Sequence, residues 1–193
     1  MLVRVVAILG MLLALGNAIH GAQADEETAW AALRAGGHVA LMRHTDAPGG
    51  TGDPPGFTLG NCATQRNLNA KGRADAVEIG TRIKSEGISF EKILSSPWCR
   101  CVDTAKLMDL GPIETEPTLG NVVVLRDQVE VLTAGARTLI AGWKGRGALL
   151  VVTHGANIRA LTGVSPAQGE IVVVAAGADG SIEPVGRIPP PGR

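Results

Sequence analysis

Aromatic residues are scarce in this chain, which has three Trp, two Phe and no Tyr among 193 residues. So few aromatic side chains argue against a platform that stacks nucleic-acid bases or sugar rings. An excess of one charge is also absent, because 18 Lys and Arg balance 18 Asp and Glu and no basic stripe occurs. The composition therefore predicts no binding to nucleic acid or to an anionic membrane surface, and any specificity for anions must come from a few local positive groups.

Long hydrophobic runs are absent after residue 24. Before it, a positive start at Arg4, an apolar run over 5–19 and the small-residue site Ala22-Gln23-Ala24 predict a cleavable signal peptide, residues 1–24. An uncleaved N-terminal anchor is the alternative. With cleavage, residues 25–193 are expected to form a single domain in the periplasm or outside the cell, with no stable membrane span.

Cysteine is rare, with three residues at 62, 99 and 101. An exported chain permits a disulfide, and Cys99 and Cys101 are too close in sequence to bridge comfortably. Cys62 is therefore expected to pair with Cys99 or with Cys101, and the sequence leaves both pairings open. A Cys-x-Cys pair without a second pair of ligands is a weak zinc signal, so no metal site is predicted.

Short apolar runs alternate with amphipathic segments along the chain. Strands are predicted in "VALM" (39–42), "EKILSSP" (91–97) and "ALLVVTH" (148–154), with an edge strand in "PIETEP" (112–117). Helices are predicted between them, and "GEIVVVAAGADGSIEPVGRI" (169–188) predicts a hairpin. The pattern favours an α/β fold, a three-layer α/β/α sandwich with a mostly parallel central sheet.

Polar side chains stand where three of these segments end. Arg43 and His44 follow the first strand, and Arg100 lies in the first turn of the helix after the second. His154 ends the strand "ALLVVTH", and Gly155 opens the next helix. Because open parallel sheets bind ligands at the carboxyl ends of their strands, we expect these groups to converge on one site.

Two guanidinium groups and two imidazoles suit the transfer of a phosphoryl group. The arginine forks can hold phosphate oxygens, and helix N-termini near Arg100 and Gly155 add dipolar stabilisation. One neutral imidazole can attack phosphorus, and the other, when protonated, can stabilise charge on the transferring group. This chemistry requires neither a metal nor a cofactor, and the sequence offers no carboxylate cluster to hold a metal.

The same segments resemble the histidine phosphatase superfamily, which has the phosphoglycerate-mutase-like fold. "LMRHTDAPG" is similar to its Arg-His-Gly signature, "TQRNLNAKGRADAVEIG" to the segment that follows, "SSPWCRCVDTAKLM" to its Ser-Ser-Pro motif and "VVTHGANIRALTG" to its late His-Gly motif. The resemblance spans residues 39 to about 163. It implies that His44 is the nucleophile, that Arg43, Arg100 and His154 complete the phosphate pocket, and that a backbone carbonyl holds the other ring nitrogen of His44.

Two positions depart from the family pattern. Thr45 replaces a glycine, and a β-branched residue fits there only if the backbone avoids positive φ. The general acid that protonates the leaving oxygen is also not evident. Asp127 is our choice, although it serves equally well as a helix N-cap, and Asp46 and Glu170 are alternatives. Without an acid, the enzyme would favour good leaving groups, as in phosphohistidine, anhydrides or aryl phosphates.

The sequence thus predicts an exported, metal-independent phosphatase that acts on a small phosphorylated substrate through a phosphohistidine on His44. The substrate is a phosphomonoester, a phosphoanhydride or a phosphoramidate. A phosphomutase is the nearest alternative, and a non-catalytic phosphate- or polyanion-binding protein is another, which would bind without turnover. The loop 46–61 is expected to cover the pocket, with Phe57 against the substrate. Arg66 either extends the positive surface toward a second acidic group or is a solvated residue near the start of a helix.

Overall fold

The computed structural model describes residues 25–177 and 179–192, so the predicted signal peptide at residues 1–24 lies outside the described residues. The strands are β1 Val39–Arg43, β2 Phe90–Ser95, β3 Glu114–Thr115, β4 Ala148–Thr153, β5 Ile171–Ala176 and β6 Ile182–Ile188. The helices are α1 over residues 25–35, α2 Ala70–Ser85, α3 Cys99–Met108, α4 Val129–Ala141 and α5 Gly155–Thr162. Short 3-10 segments occur at Cys62–Thr64, Pro117–Leu119 and Arg126–Gln128.

The strands form one sheet in the order β3-β2-β4-β1-β5-β6. Neighbours from β3 through β2 and β4 to β1 run parallel, whereas β5 is antiparallel to both β1 and β6. The predicted parallel core, the predicted edge strand in "PIETEP" and the predicted hairpin are all confirmed.

Helices cover both faces of the sheet. Ala40 and Met42 of β1 join an apolar cluster with Trp30 of α1 and the buried faces of α2 and α3. Val39 and Leu41, which point the other way, join a cluster with α4 and α5. Because side chains alternate across a strand, one strand supplies both layers of the core. The three-layer α/β/α architecture predicted from the sequence is confirmed.

The central position of β4 follows from its composition. Every residue of Ala148–Thr153 is buried, as expected for a parallel strand covered on both faces. β4 pairs with β1 on one side and with β2 on the other. The carboxyl ends of these three strands therefore lie side by side, and the residues that follow them share one edge of the sheet.

The loop after β1 lies directly on the first turn of α2. Asn69 caps this helix by accepting a hydrogen bond from the Gly72 amide at 2.7 Å, and its side-chain amide donates to Asp46 Oδ2 at 2.7 Å. A Cβ atom at position 72 would lie 2.1 Å from the Asp46 carbonyl oxygen, so this approach requires glycine. Asp46 is thereby held at the start of α2.

A disulfide joins Cys62 to Cys99, with 5.7 Å between the Cα atoms. This decides the pairing that the sequence left open, and Cys101 is a free, buried thiol. The bond ties the end of the long loop after β1 to the N-terminus of α3. Among the described residues, no helix combines the length and apolar character needed to cross a membrane.

Candidate active site

The ends of β1, β2 and β4 bring two histidines together. His44 follows β1, and His154 precedes α5 directly after β4. Their ring centroids are 5.6 Å apart, with the ring planes at 70°. At this separation both imidazoles can reach one phosphoryl group. The structure therefore places both histidines at the edge of the sheet where the sequence predicted a common site.

The His44 imidazole is held in one tautomer. Its Nδ1 lies 2.8 Å from the Thr45 carbonyl oxygen, which can only accept a hydrogen bond. Nδ1 therefore donates, and in the neutral ring Nε2 keeps its lone pair. Burial lowers the pKa of His44 to about 3, with a smaller contribution from the charges of Arg100, Arg66 and Arg43. The ring is consequently a neutral nucleophile at ordinary pH.

Thr45 is accommodated without a left-handed backbone. Among the described residues, Asp109 is the one non-glycine residue with positive φ. The fully buried Thr45 donates its amide to Thr104 Oγ1 at 3.2 Å, and Thr104 donates in turn to the Arg100 carbonyl at 2.7 Å. The residue that departs from the Arg-His-Gly pattern thus links the nucleophile's turn to the helix that carries Arg100.

His154 is as deeply buried as His44. Its Nε2 is 2.9 Å from the hydroxyl of Ser96, and the Trp98 ring stands nearly perpendicular to it at 5.5 Å. Burial, and then the charges of His44 and Arg100, lower the pKa of His154 well below its ordinary value. Without an anion, this ring is neutral. The protonated form considered at the sequence level would therefore require a bound anion.

Arg43 and Arg100 each have a buried Nε atom without a hydrogen-bond partner. One terminal nitrogen of Arg43 donates to the Pro166 carbonyl at 3.0 Å. A Cβ atom at Gly155 would lie 3.1 Å from Arg43 Cδ, so glycine gives this side chain room against the start of α5. A buried donor without a partner is costly, so an oxyanion that reaches these Nε–H groups would be stabilised by them.

Asp53 is a residue that the sequence interpretation missed. Its carboxylate accepts two hydrogen bonds from Arg100, at 2.7 and 3.1 Å, and both side chains are completely buried. It also accepts from Trp98 Nε1 at 2.9 Å and from the Arg66 amide at 3.0 Å. A signal was present, since Asp53 is the one acidic residue between positions 47 and 61, in the middle of the glycine- and proline-rich loop.

A cavity of about 270 Å³ opens beside the histidines. Its wall includes Arg43, His44, His154, Gly155, Arg66 and Arg159. Arg100 is not part of the wall and lies behind it, held by Asp53. No carboxylate lines this cavity among the described residues.

The structure does not bring the three candidate acids to this cavity. Asp127 is exposed on the 3-10 segment Arg126–Gln128, because α4 begins only at Val129. Asp46 is held at the start of α2, and Glu170 accepts hydrogen bonds from Arg187 and from the Ala167 amide. None of these carboxylates lines the cavity.

Phe57 also lies away from the cavity. Its ring packs 6.0 Å from that of Trp98, on a separate apolar depression. The expectation that Phe57 lies against the substrate is therefore not met by this geometry. Arg66, by contrast, is half-buried and reaches the cavity wall. Within 25–177 and 179–192, no group of three or more His, Cys, Asp or Glu side chains is placed to hold a metal ion.

Acid is expected to destabilise the protein below about pH 6.5 because both histidines stay neutral in the folded state. The folded protein then binds fewer protons than the unfolded chain, so the free energy of unfolding falls as pH falls. Each histidine contributes up to about 1.4 kcal/mol per pH unit, and for His44 the loss levels off near its folded pKa of about 3.

Urea denaturation between about pH 7 and about pH 4 measures this slope. The His44→Asn variant should lose the share that belongs to one histidine, because asparagine does not titrate. A slope identical to that of the wild type would contradict the assignment to His44.

Residues 40–124 match the family model of the histidine phosphatase superfamily, branch 1. No curated protein sequence matches the chain. A solved structure of the protein histidine phosphatase SixA complexed with tungstate is 20% identical, with a TM-score of 0.56, covering 79% of this chain and 96% of its own. A putative α-ribazole-5'-P phosphatase from Escherichia coli K-12 MG1655 is 16% identical, with a TM-score of 0.57, covering 77% and 95%. A mycobacterial glucosyl-3-phosphoglycerate phosphatase complexed with VO3 is 14% identical, with a TM-score of 0.53, covering 72% and 92%. The likeness to these structures establishes the fold.

Proposed function

We propose that the chain is a metal-independent phosphatase of the histidine phosphatase superfamily that acts through a phosphohistidine at His44, and the family match over residues 40–124 and the shared fold support this proposal. The observation that carries the proposal is the state of His44. Its Nδ1–H donates a hydrogen bond to the Thr45 carbonyl, which leaves the lone pair on Nε2. The ring lines the cavity. The unpartnered Nε–H groups of Arg43 and Arg100 supply donors for the phosphate oxygens.

The reaction takes place in two displacements. In the first, the lone pair of His44 Nε2 attacks phosphorus, the P–N bond forms and the ester P–O bond breaks. The leaving oxygen keeps the electron pair of that bond. In the second, a water oxygen attacks phosphorus, the P–N bond breaks and its electron pair returns to Nε2. Inorganic phosphate leaves, and the water proton passes to the product or to solvent.

The described cavity wall contains no carboxylate that could protonate the leaving oxygen. The leaving oxygen takes its proton from water in this arrangement. Substrates with stable leaving groups, such as aryl phosphates, phosphoanhydrides and phosphoramidates, are therefore favoured over simple alkyl esters. One similar solved structure is that of a protein histidine phosphatase, and phosphohistidine is a phosphoramidate of this kind.

Export of the chain remains part of the proposal. The charged start, apolar run and small-residue site of residues 1–24 support it. The Cys62–Cys99 disulfide supports it as well, because such bonds persist mainly in oxidising compartments. Under this proposal the enzyme works in the periplasm or outside the cell.

The test is phosphate release from phenyl phosphate and phosphoramidate by residues 25–193 in excess EDTA. We expect release that EDTA does not reduce and that vanadate inhibits competitively, because vanadate presents the same oxygens to Arg43 and Arg100. Release only after addition of a divalent metal would overturn the proposal. Vanadate binding without any turnover would instead identify the non-catalytic anion-binding protein.

The phosphomutase alternative is tested with the same substrates. A mutase returns the phosphoryl group to an acceptor alcohol, so labelled substrate would yield a rearranged ester faster than inorganic phosphate. We expect inorganic phosphate as the main product, since the site lies beside an open cavity that water can enter.

A further inference from the structure

Arg159 is a cation at the cavity wall without a partner among the described side chains. It lies one helical turn after Gly155 on α5, on the face that lines the cavity. Its side chain is exposed, and no described ion pair or side-chain hydrogen bond engages its guanidinium group. Arg34 of α1, by contrast, pairs with the carboxylate of Glu86.

Arg66 is a second cation on the same wall. Its Nε donates to the Gly52 carbonyl at 2.9 Å, and one terminal nitrogen donates to the Ala47 carbonyl. These bonds hold the long loop and leave the other terminal nitrogen without a partner among the described residues. Asp53 accepts from the backbone amide of Arg66, while its carboxylate faces Arg100. The charge of Arg66 is therefore not cancelled by a direct ion pair.

The charges of the wall exceed what one phosphate requires. Arg43, Arg66 and Arg159 line the cavity with no carboxylate, while Asp53 compensates Arg100 behind it. A phosphomonoester dianion at His44 would neutralise two of these three positive charges. The remaining positive charge favours a substrate that carries a further negative group.

The remainder of the wall consists of small and medium-sized residues, both polar and apolar, the apolar ones being Val123, Ala156 and Pro166. It contains Gly50, Thr51, Gly52 and Asn121 but no aromatic side chain other than the two imidazoles. Its volume of about 270 Å³ lies just below the usual range for ligand pockets, which begins at about 300 Å³. These features fit a compact anion better than a nucleoside or a lipid.

We propose that Arg66 and Arg159 form a second anion subsite, so that the enzyme prefers a small phosphorylated substrate bearing another phosphate or a carboxylate. This proposal rests on the proposed phosphatase function. Arg43 and Arg100 hold the phosphoryl group that is transferred, and Arg159 and the free nitrogen of Arg66 hold the second anion. The subsite sets substrate preference and takes no part in bond breaking.

The test compares substrates that differ in one charge but share a leaving group. The probes are 2-, 3- and 4-(carboxymethyl)phenyl phosphate, each beside its neutral carboxamide, and the three positional isomers vary the distance between the anions. A phenylene bisphosphate measures a second phosphate in place of the carboxylate. We expect kcat/KM for the best acid to exceed that of its amide about tenfold, with a smaller ratio at high salt.

Two variants test whether Arg159 causes the preference for the acid over the amide. Arg159→Gln is expected to bring the acid-to-amide ratio close to one. Arg146→Gln removes the same charge at an exposed position just before β4, at the opposite edge of the sheet, and should keep the wild-type ratio. A ratio near one in the wild type, or an unchanged ratio in Arg159→Gln, would overturn the subsite.

Failure of the subsite is distinguishable from failure of the phosphatase. If acid and amide are hydrolysed equally well, the subsite is wrong and the phosphatase stands. If neither is hydrolysed, calorimetric titration of the acid and the amide into His44→Asn decides the subsite without turnover. Tighter binding of the acid, lost in Arg159→Gln, would support the subsite, and equal binding would exclude it.

Discussion

Replacing His44 with alanine is expected to reduce kcat/KM for phenyl phosphate by about 10⁴-fold or more, since the substitution removes the proposed nucleophile. The structure makes this loss specific. Both imidazoles line the cavity, but the Nε2 atom of His154 is engaged with the Ser96 hydroxyl, whereas the described hydrogen bond of the His44 ring is made by its Nδ1. Because its Nε2 is engaged in this way, His154 is not expected to replace His44 as the nucleophile.

The measurement combines steady-state kinetics with trapping of the phosphoenzyme. Wild-type protein quenched during turnover of labelled substrate should carry phosphate that is stable in alkali and released in acid, as expected for a phosphorylated imidazole. His44→Ala should carry none. Vanadate should still bind to the variant, because Arg43 and Arg100 remain.

His38 provides the matched control. It precedes the opposite end of β1, where its Nδ1 lies 2.8 Å from the Gly36 carbonyl. His38→Ala removes the same side chain far from the cavity and should change kcat/KM by less than about threefold. Label on the protein in His44→Ala, or a comparable loss of activity in His38→Ala, would contradict the assignment.

Replacing Asp53 with alanine is expected to lower the free energy of unfolding by about 3 kcal/mol or more, because it leaves the Arg100 charge buried and unpaired. Burial by itself raises the pKa of Asp53, but the hydrogen bonds from Arg100 and the Arg66 amide outweigh it, so the pKa is lowered. The carboxylate is therefore charged, and the pair is ionic.

Activity should fall with stability in this variant. Asp53 holds both terminal nitrogens of Arg100, which leaves the Nε–H as the donor without a partner. Without Asp53 the guanidinium group keeps only its hydrogen bond from one terminal nitrogen to the Arg66 carbonyl at 3.2 Å among the described contacts, so it can shift. A displacement of about 1 Å at such a group can cost about 10²-fold in rate. We expect a loss of this size in kcat/KM for Asp53→Ala.

Vanadate separates positioning from folding. Because the anion offers Arg100 a new partner, vanadate should raise the melting temperature of Asp53→Ala more than that of the wild type. Glu114→Ala, which removes an exposed ion pair with Lys92, is the control and should change stability by less than about 1 kcal/mol. Higher activity in Asp53→Ala would show instead that Asp53 competes with phosphate for Arg100.

The fold was largely predictable because its signals are local. A continuous apolar run identified β4, and alternating strands and helices identified the parallel core. The positions of Arg43, His44, Arg100 and His154 followed, because residues after parallel strands must share an edge of the sheet. The resemblance of the motifs in residues 39 to about 163 gave the same four residues.

The roles of the acidic residues could not be read in this way. Asp127 had the sequence position of an acid near the site, yet it lies on an exposed turn. Asp53 had no motif around it, yet its carboxylate is buried against Arg100. Each outcome depends on the path of a long connection through space, which local pattern does not encode.

The sequence by itself determined the order of the elements, the two-sided core and the residues at the strand ends, since each depends on neighbours a few positions apart. Only the tertiary structure decided that Cys62 pairs with Cys99, that Asp53 holds Arg100 behind the cavity and that Arg159 reaches its wall. The two pairs, Cys62 with Cys99 and Asp53 with Arg100, are 37 and 47 positions apart in the sequence. Arg159 lines a cavity together with residues from several other segments of the chain. These contacts are selected by the packing of the whole domain, so they become visible only when the chain is folded.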